Sequence, residues 1–293
     1  MFNTIERLIS LRNLKPKKKE GFLKIISIFS FVGIMLGVAI LIIVMSVMNG
    51  FRTELTNKIL GFNPHITIAP YSSEINDFFK NTLKKKYKNI KIKETFNGEG
   101  ILITNDITKG ILIKGINSNK KNEYKHIQEK LIDGEFKNFK KGSIIIGKEL
   151  AINLGVVAGD NLNLMSSTFV TTPLGGFPKQ ENFIVSGIFS SGFYEFDQNV
   201  VFINLEDALS FFEKTEKDIS LELYLEEPLR ADQYKKEIEK LNENYFIYSW
   251  TDINKSFFGA LKIERNVMFV ILTLIIIVAA FNIISGLTIL IKN

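Results

Sequence analysis

Glu195 and Asp197 stand two residues apart in the run Ser191-Gly192-Phe193-Tyr194-Glu195-Phe196-Asp197, and paired carboxylates are what general acid–base chemistry uses. Two carboxylates alone make no catalyst. They need a nucleophile or a metal ion with its ligands, and the chain offers two histidines, His65 and His126, no HExxH run and no cysteine. A lone histidine is a poor ligand set, so His65 is expected to pack or hydrogen-bond beside its strand, and no metal site is expected. The missing GxxxxGK[ST] run excludes ATP binding through a P-loop, and the lack of cysteine excludes disulfides and thiol catalysis. Flanked by Phe193, Tyr194 and Phe196, the two carboxylates suit a turn that packs one face.

A second stretch points to recognition. In Thr171-Thr172-Pro173-Leu174-Gly175-Gly176-Phe177-Pro178-Lys179 the prolines cannot donate to a ladder and stiffen the arms, while the two glycines allow a tight tip. Leu174 and Phe177 then form an apolar knob where a solvated turn would favour Asn, Asp or Ser. Either this tip packs back on its own domain or it is held out for a partner.

The elements that position these residues begin with two uncharged apolar runs, Ile25 to Met48 and Val267 to Ile291. Each has about 24 residues, on the order of 36 Å of helix, enough to span a bilayer. The first exceeds a signal peptide's apolar core and no small-x-small cleavage site follows, so it reads as an uncleaved anchor. Up to Lys24, seven basic side chains face Glu6 and Glu20, which leaves +5 of the chain's formal +6 in this tail. Positive residues beside a span are retained inside, which puts the amino terminus in the cytoplasm and the long segment between the runs outside. A basic excess confined to a membrane-proximal tail is no nucleic-acid surface. Ahead of the first span Phe2, Ile5, Leu8 and Ile9 share one face, as in a helix lying on the inner leaflet.

Between the spans, periodicity predicts a strand His65 to Ala69 and a helix capped by Ser73 and running through Leu83. Strands are expected over Ile90 to Phe96, Gly100 to Thr104 and Gly110 to Ile116, with a turn at Asn105-Asp106. After a strand from Gly142, a short helix Lys148 to Leu154 stops at Gly155 in a left-handed cap, and Ala158-Gly159-Asp160 turns into another strand. Asn182 to Phe189 and Val200 to Ile203 follow as strands, then a helix opened by Asn204 to Asp207 in capping-box fashion. The last third reads as strand Ile219 to Leu225, helix Leu229 to Leu241 and strand Tyr245 to Ser249. Thr251 or Asp252 then caps a helix with no breaker before the second span.

The fold class is thus an α+β membrane protein in which transmembrane helices flank a large mixed α/β outside domain of two subdomains, one α+β and one mainly β. Its expected parts are a basic segment 1–21, a first span 22–50, the outside domain 51–265 with the mainly β portion at about 134–203, and a second span 266–291. Small residues Ser30, Gly33 and Gly37 on one face let another helix approach closely, and Asn282 and Ser285 are polar groups at depth that want interhelical partners. Both features imply more membrane helices than these two.

Taken together, Leu36 to Leu55, Ile59 to Ile68, Ile144 to Asp160, the Pro-flanked loop, Ser191 to Asp197 and Val278 to Lys292 resemble the transmembrane subunits of the lipoprotein-releasing ABC transporter, the LolC/LolE family. That family lies within a wider class of macrolide-exporter-like and FtsX-like permeases. The resemblance implies a mechanical permease of the inner membrane and no enzyme. A permease dimer, paired with itself or with a paralogue, and a dimer of separate ATPases would pass acylated lipoproteins from the membrane lipid to a soluble periplasmic carrier. This chain would bind no cofactor, since ATP and Mg belong to the ATPase. The family's acyl-chain cavity maps onto Val44, Val47, Met48, Phe51 and Leu55, at three- and four-residue spacing, though such a stripe also suits packing on the second span. The carrier-binding loop maps onto Thr172, Pro173, Leu174, Gly175, Gly176, Phe177 and Pro178. Four spans and a cytoplasmic coupling helix are usual in the family, so the chain reads as truncated before the last two spans. The topology fits two rivals: a membrane-anchored sensor and a membrane-anchored hydrolase.

Overall fold

The computed structural model describes residues 5, 8, 21–71, 73–87, 89–104, 107–172, 175–242 and 244–292. Leu55–Lys255 forms one compact unit, and Met1–Glu54 with Ser256–Asn293 forms another.

Helix α1 (Gly21–Phe62) outlasts its uncharged run by more than three turns, because nothing between Met48 and Phe62 breaks a helix. Asn63 ends it: its backbone N–H and its side-chain amide both turn back onto Ile59 O, at 3.2 and 3.1 Å, and Pro64 cannot continue the ladder. Strand β1 (Ile66–Pro70) follows, then α2 (Asp77–Lys86). The cap of α2 is Asn76, whose side chain accepts from Phe79 N, and not Ser73 as expected. Burial of Phe79 and Leu83 one turn apart sets the helix register and leaves Ser73 outside it.

The two strands expected over 90–104 are one, β2 (Lys91–Ile103), continuous through Asn97-Gly98-Glu99. It pairs with β3 (Thr108–Ile116). The turn at Asn105-Asp106 lies outside the described residues. Next come α3 (Lys125–Gln128), β4 (Leu131–Gly134) and β5 (Ser143–Gly147). Helix α4 (Lys148–Leu154) stops as read, with Gly155 at φ +67°. Strands β6 (Asn161–Thr172) and β7 (Gly175–Phe189) form a long hairpin, and α5 (Tyr194–Asn199) leads into β8 (Val200–Asn204). Helix α6 (Leu205–Phe211) carries half of the expected capping box: Asn204 accepts from Glu206 N, while Asp207 turns away to take Gly142 N at 2.7 Å. Strand β9 (Ser220–Tyr224), α7 (Ala231–Glu239) and β10 (Tyr245–Ser249) complete the unit.

Strand pairing explains why these pieces cohere. β2 pairs β3, β3 pairs β8, β8 pairs β5, β5 pairs β7, β7 pairs β6, and β6 returns to β2, so six strands close a ring. The stretch expected to be mainly β supplies four of these, β5 to β8, and β2 and β3 come from before it. Inward positions alternate as the pleat requires: Leu102, Ile111, Ile113, Ile144, Ile146, Leu162, Leu164, Phe183, Val185, Val201 and Ile203 fill the ring. The intervening Ile145, Val200, Phe202 and Phe189 join a second core with Phe62, Ile116, Tyr124 and Phe196 on the outer face. Burying β5 and β8 on both faces is what their unbroken Ile and Val runs predict. Before it enters the ring, β2 pairs β9, and the sheet continues from β9 through β1 to β10.

In the other unit, α1 and α9 (Lys255–Lys292) are both long and apolar enough to cross a membrane. The continuous helix expected from Thr251 is broken. Ser249, not Thr251 or Asp252, caps a short α8 (Trp250–Ile253) in a reciprocal box with Asp252, and Asn254 at φ −100°, ψ 28° separates it from α9. Of the face expected to lie on the inner leaflet, Ile5 and Leu8 are helical and exposed; Phe2 and Ile9 lie outside the described residues.

Candidate functional site

The paired carboxylates part company in the fold. Asp197 is 2 % exposed and accepts from Ser191 N at 2.9 and 3.1 Å, from Ser190 Oγ at 3.4 Å and from Ser191 Oγ, so it clasps its own loop. Glu195 is exposed and faces Asn199. Both histidines sit in the core of their unit. His65 Nδ1 accepts from Leu225 N at 2.7 Å, and burial lowers its pKa. His126 lies 3.4 Å from Lys93 Nζ with its ring edge-on to Phe62, and burial followed by repulsion from Lys93, Lys114 and Lys91 pushes its pKa down to about 3. An imidazole that stays neutral to such low pH is a weak base, and the geometry gives His126 no place between Asp197 and a serine.

The β6–β7 hairpin is where the loop residues come together. Thr172 pairs Gly175, Thr171 pairs Gly176, Val170 pairs Phe177 and Phe169 pairs Pro178, while Pro173 and Leu174 lie outside the described residues. Gly175 at φ +120° and Gly176 are exposed, Pro178 is half-buried, and Phe177 keeps 54 % of its surface in solvent. A residue not singled out in the sequence joins them: Phe169, 63 % exposed, across the ladder from Pro178. The signal was present in sequence spacing, since an aromatic five residues before the glycines must fall beside the second proline once the tip is closed.

The stripe on α1 is the other cluster. Val44, Val47 and Phe51 are 41, 64 and 53 % exposed, and Met48 is half-buried. Leu55, also half-buried, opens the other unit on the same helix face. Of the small residues, Gly37 approaches the second long helix, where an added Cβ would stand 3.8 Å from Ile275 Cδ1, and Gly33 has nothing within 4 Å. Asn282 is exposed, and the Ser30 side chain lies outside the described residues. Among the described residues no group of three His, Cys, Asp or Glu is placed to hold a metal ion.

The sequence matches the profile of the MacB-like periplasmic core domain over residues 27–241. The lipoprotein-releasing system transmembrane protein LolC of Xylella fastidiosa is 30 % identical over 297 residues, covering all of this chain and 72 % of that protein. LolC of Neisseria meningitidis serogroup B is 32 % identical over 291 residues, 97 % of this chain and 70 % of that one. Among solved structures, the periplasmic region of MacB from Actinobacillus actinomycetemcomitans aligns over 69 % of this chain and 95 % of its own at 13 % identity, with a TM-score of 0.39. With a profile match over most of its length and relatives aligned from end to end, the chain belongs to the LolC/LolE family of lipoprotein-releasing-system transmembrane proteins, built on a MacB-like periplasmic core domain.

Proposed function

We propose that this chain is a permease subunit of an ABC transporter that extracts lipoproteins from the inner membrane and transfers them to a periplasmic carrier. The observation that carries this reading is the end-to-end likeness to LolC proteins, joined to two long apolar helices on either side of the core domain. The amino terminus lies in the cytoplasm and the core domain in the periplasm of a multi-pass protein. The boundaries read from the sequence, 22–50 and 266–291 for the spans and about 134–203 for a mainly β subdomain, belong to the same reading.

In it the chain catalyses no reaction. ATP and Mg act on a separate ATPase dimer, and a second permease subunit, identical or paralogous, completes the pair. Val44, Val47, Met48, Phe51 and Leu55 line the cavity for acyl chains, where soft Met and long aliphatic groups accommodate chains of varied length. Ser30, Gly33, Gly37 and Asn282 meet further membrane helices. The hairpin tip from Thr172 to Pro178 docks the carrier, and the exposure of Phe177 beside Phe169 supports this, since apolar groups held away from a core favour a partner.

Photocrosslinking from position 177, in cells making the full transporter, tests the reading. Capture of a soluble periplasmic carrier is expected. Crosslinks that stay within the permease would overturn the docking assignment.

A further inference from the structure

His65 makes more bonds between elements than any feature of its sequence announces. Its backbone N–H donates to Leu223 O at 3.0 Å, and its carbonyl accepts from Trp250 N at 3.0 Å. Its Nδ1 accepts from Leu225 N at 2.7 Å, which fixes the proton of the neutral ring on Nε2. That nitrogen hydrogen-bonds the backbone of Leu60, in the last turn of α1. The last bond has a covalent reason. Leu60 O would ordinarily accept from the amide four residues on, but that residue is Pro64, which has none. The His65 ring supplies the missing donor. One residue, 6 % exposed, therefore ties the end of the long helix to the end of β9 and to the first residue of α8. Beside it Phe62 locks the same helix end into the aromatic core, stacked on Phe189 at 5.6 Å and tilted against Phe196 at 5.4 Å. Two neighbouring anchors of different kinds make this end of α1 stiff, whereas the chain leaving α8 bends at Asn254.

We propose that His65 is a positioning residue through which displacement of the long helix is passed to β9 and to the segment that leads into α9. The proposal rests on the permease reading, because only a transporter that moves this helix has a displacement to pass on. His65 touches no cargo. Its work is to keep Leu60, Leu225 and Trp250 moving as one body.

The test uses the complete transporter reconstituted in vesicles with a lipoprotein cargo and its carrier. His65→Phe keeps ring size and removes both side-chain bonds; His65→Asn keeps an acceptor where Nδ1 stood. Two quantities are read: hydrogen exchange at the Leu225 amide, and lipoprotein released per ATP hydrolysed. For His65→Phe, exchange at Leu225 should rise about tenfold and release per ATP should fall about tenfold, with ATP hydrolysis within about twofold of wild type. His65→Asn should recover most of both. If release and hydrolysis fall together, or if exchange rises while release per ATP is unchanged, the residue is merely structural and the proposal is wrong. A wild-type transporter that hydrolyses ATP and releases no lipoprotein removes the permease reading and this proposal together, an outcome visible before any variant is made.

Discussion

Lys114 Nζ stands 2.7 Å from Glu222 Oε1, with side chains only 6 and 3 % exposed, on a sheet face that a second lysine shares. Lys93, paired in register with Glu222, is 5 % exposed and stacks its ammonium 4.0 Å from the centre of the Tyr224 ring. Glu222 Oε2 is engaged by Tyr224 Oη at 2.9 Å. Two cations thus share one carboxylate, and they are not equivalent. Removing Lys114 leaves Glu222 buried without its closest counter-charge, so Lys114→Met should cost about 3 to 5 kcal/mol in denaturant unfolding. Lys93 is desolvated enough to lower its pKa to about 8, so Lys93→Met removes an unfavourable burial and should stay within about 1 kcal/mol of wild type. Equal losses for the two variants would contradict this assignment.

Acid should loosen the core domain. An unfolded histidine binds its proton near 6.5, whereas in the fold His126 resists it to about 3 and the His65 pKa is lowered too. Both rings are neutral in the native state, so their share of stability is whole above about pH 6.5 and declines as pH falls below it. The slope from His126 is up to about 1.4 kcal/mol per pH unit between 6.5 and 3. Melting temperature followed from pH 7.5 down to 4.5 should fall, and His126→Phe should flatten the curve.

Gly98 is the point at which β2 passes the end of the ring. A Cβ there would stand 2.5 Å from Phe212 Cζ, and Phe212 is 3 % exposed and packed edge-on against Phe211. Gly98→Ala must push that ring aside and should destabilise by about 1 to 3 kcal/mol. Pairing it with Phe212→Leu, which clears the space, should give a double variant less destabilised than the two changes added. Strict additivity would argue that the contact is not what excludes a side chain.

Phe51→Asp tests the proposed acyl stripe. Phe51 is 53 % exposed, so the substitution removes no core packing and the domain should keep its melting temperature. A carboxylate among Val47, Met48 and Leu55 should reduce lipoprotein release by tenfold or more, because a charge in a lipid-lined path is costly. Release at the wild-type rate would remove the cavity from this face of α1.

Local signals carried much of this fold. The α4 helix and its stop at Gly155 followed from residues within one turn of each other, and β10 was read to the residue. The ring was not legible, because its closure depends on Gly100–Ile103 meeting Asn163–Ser166, a pairing set by twist and core volume with no nearby sequence cue. The same distance effect undid two caps. Asp207 had the spacing for a capping box, but Gly142, far away in the chain, competed for its carboxylate and won. Thr251 was a plausible cap, yet Ser249 lies at the end of a strand already held by β1, so the helix starts there. At the site, Phe177 was visible because an aromatic beside glycine and proline breaks the rule for turns. Phe169 was hidden because a strand is an ordinary place for it.

Strand β1, the first after the long helix, lies between β9 and β10, the last two strands before α9. A ribosome therefore completes nearly the whole domain before its first strand has a partner. Until Ser249 is made, Ile66 and Ile68, which end fully buried, have nowhere to go. For a chain whose first apolar helix is inserted early, this makes the stretch after Phe62 a waiting guest for holdase chaperones, and it ties maturation of the whole domain to arrival of the second membrane helix.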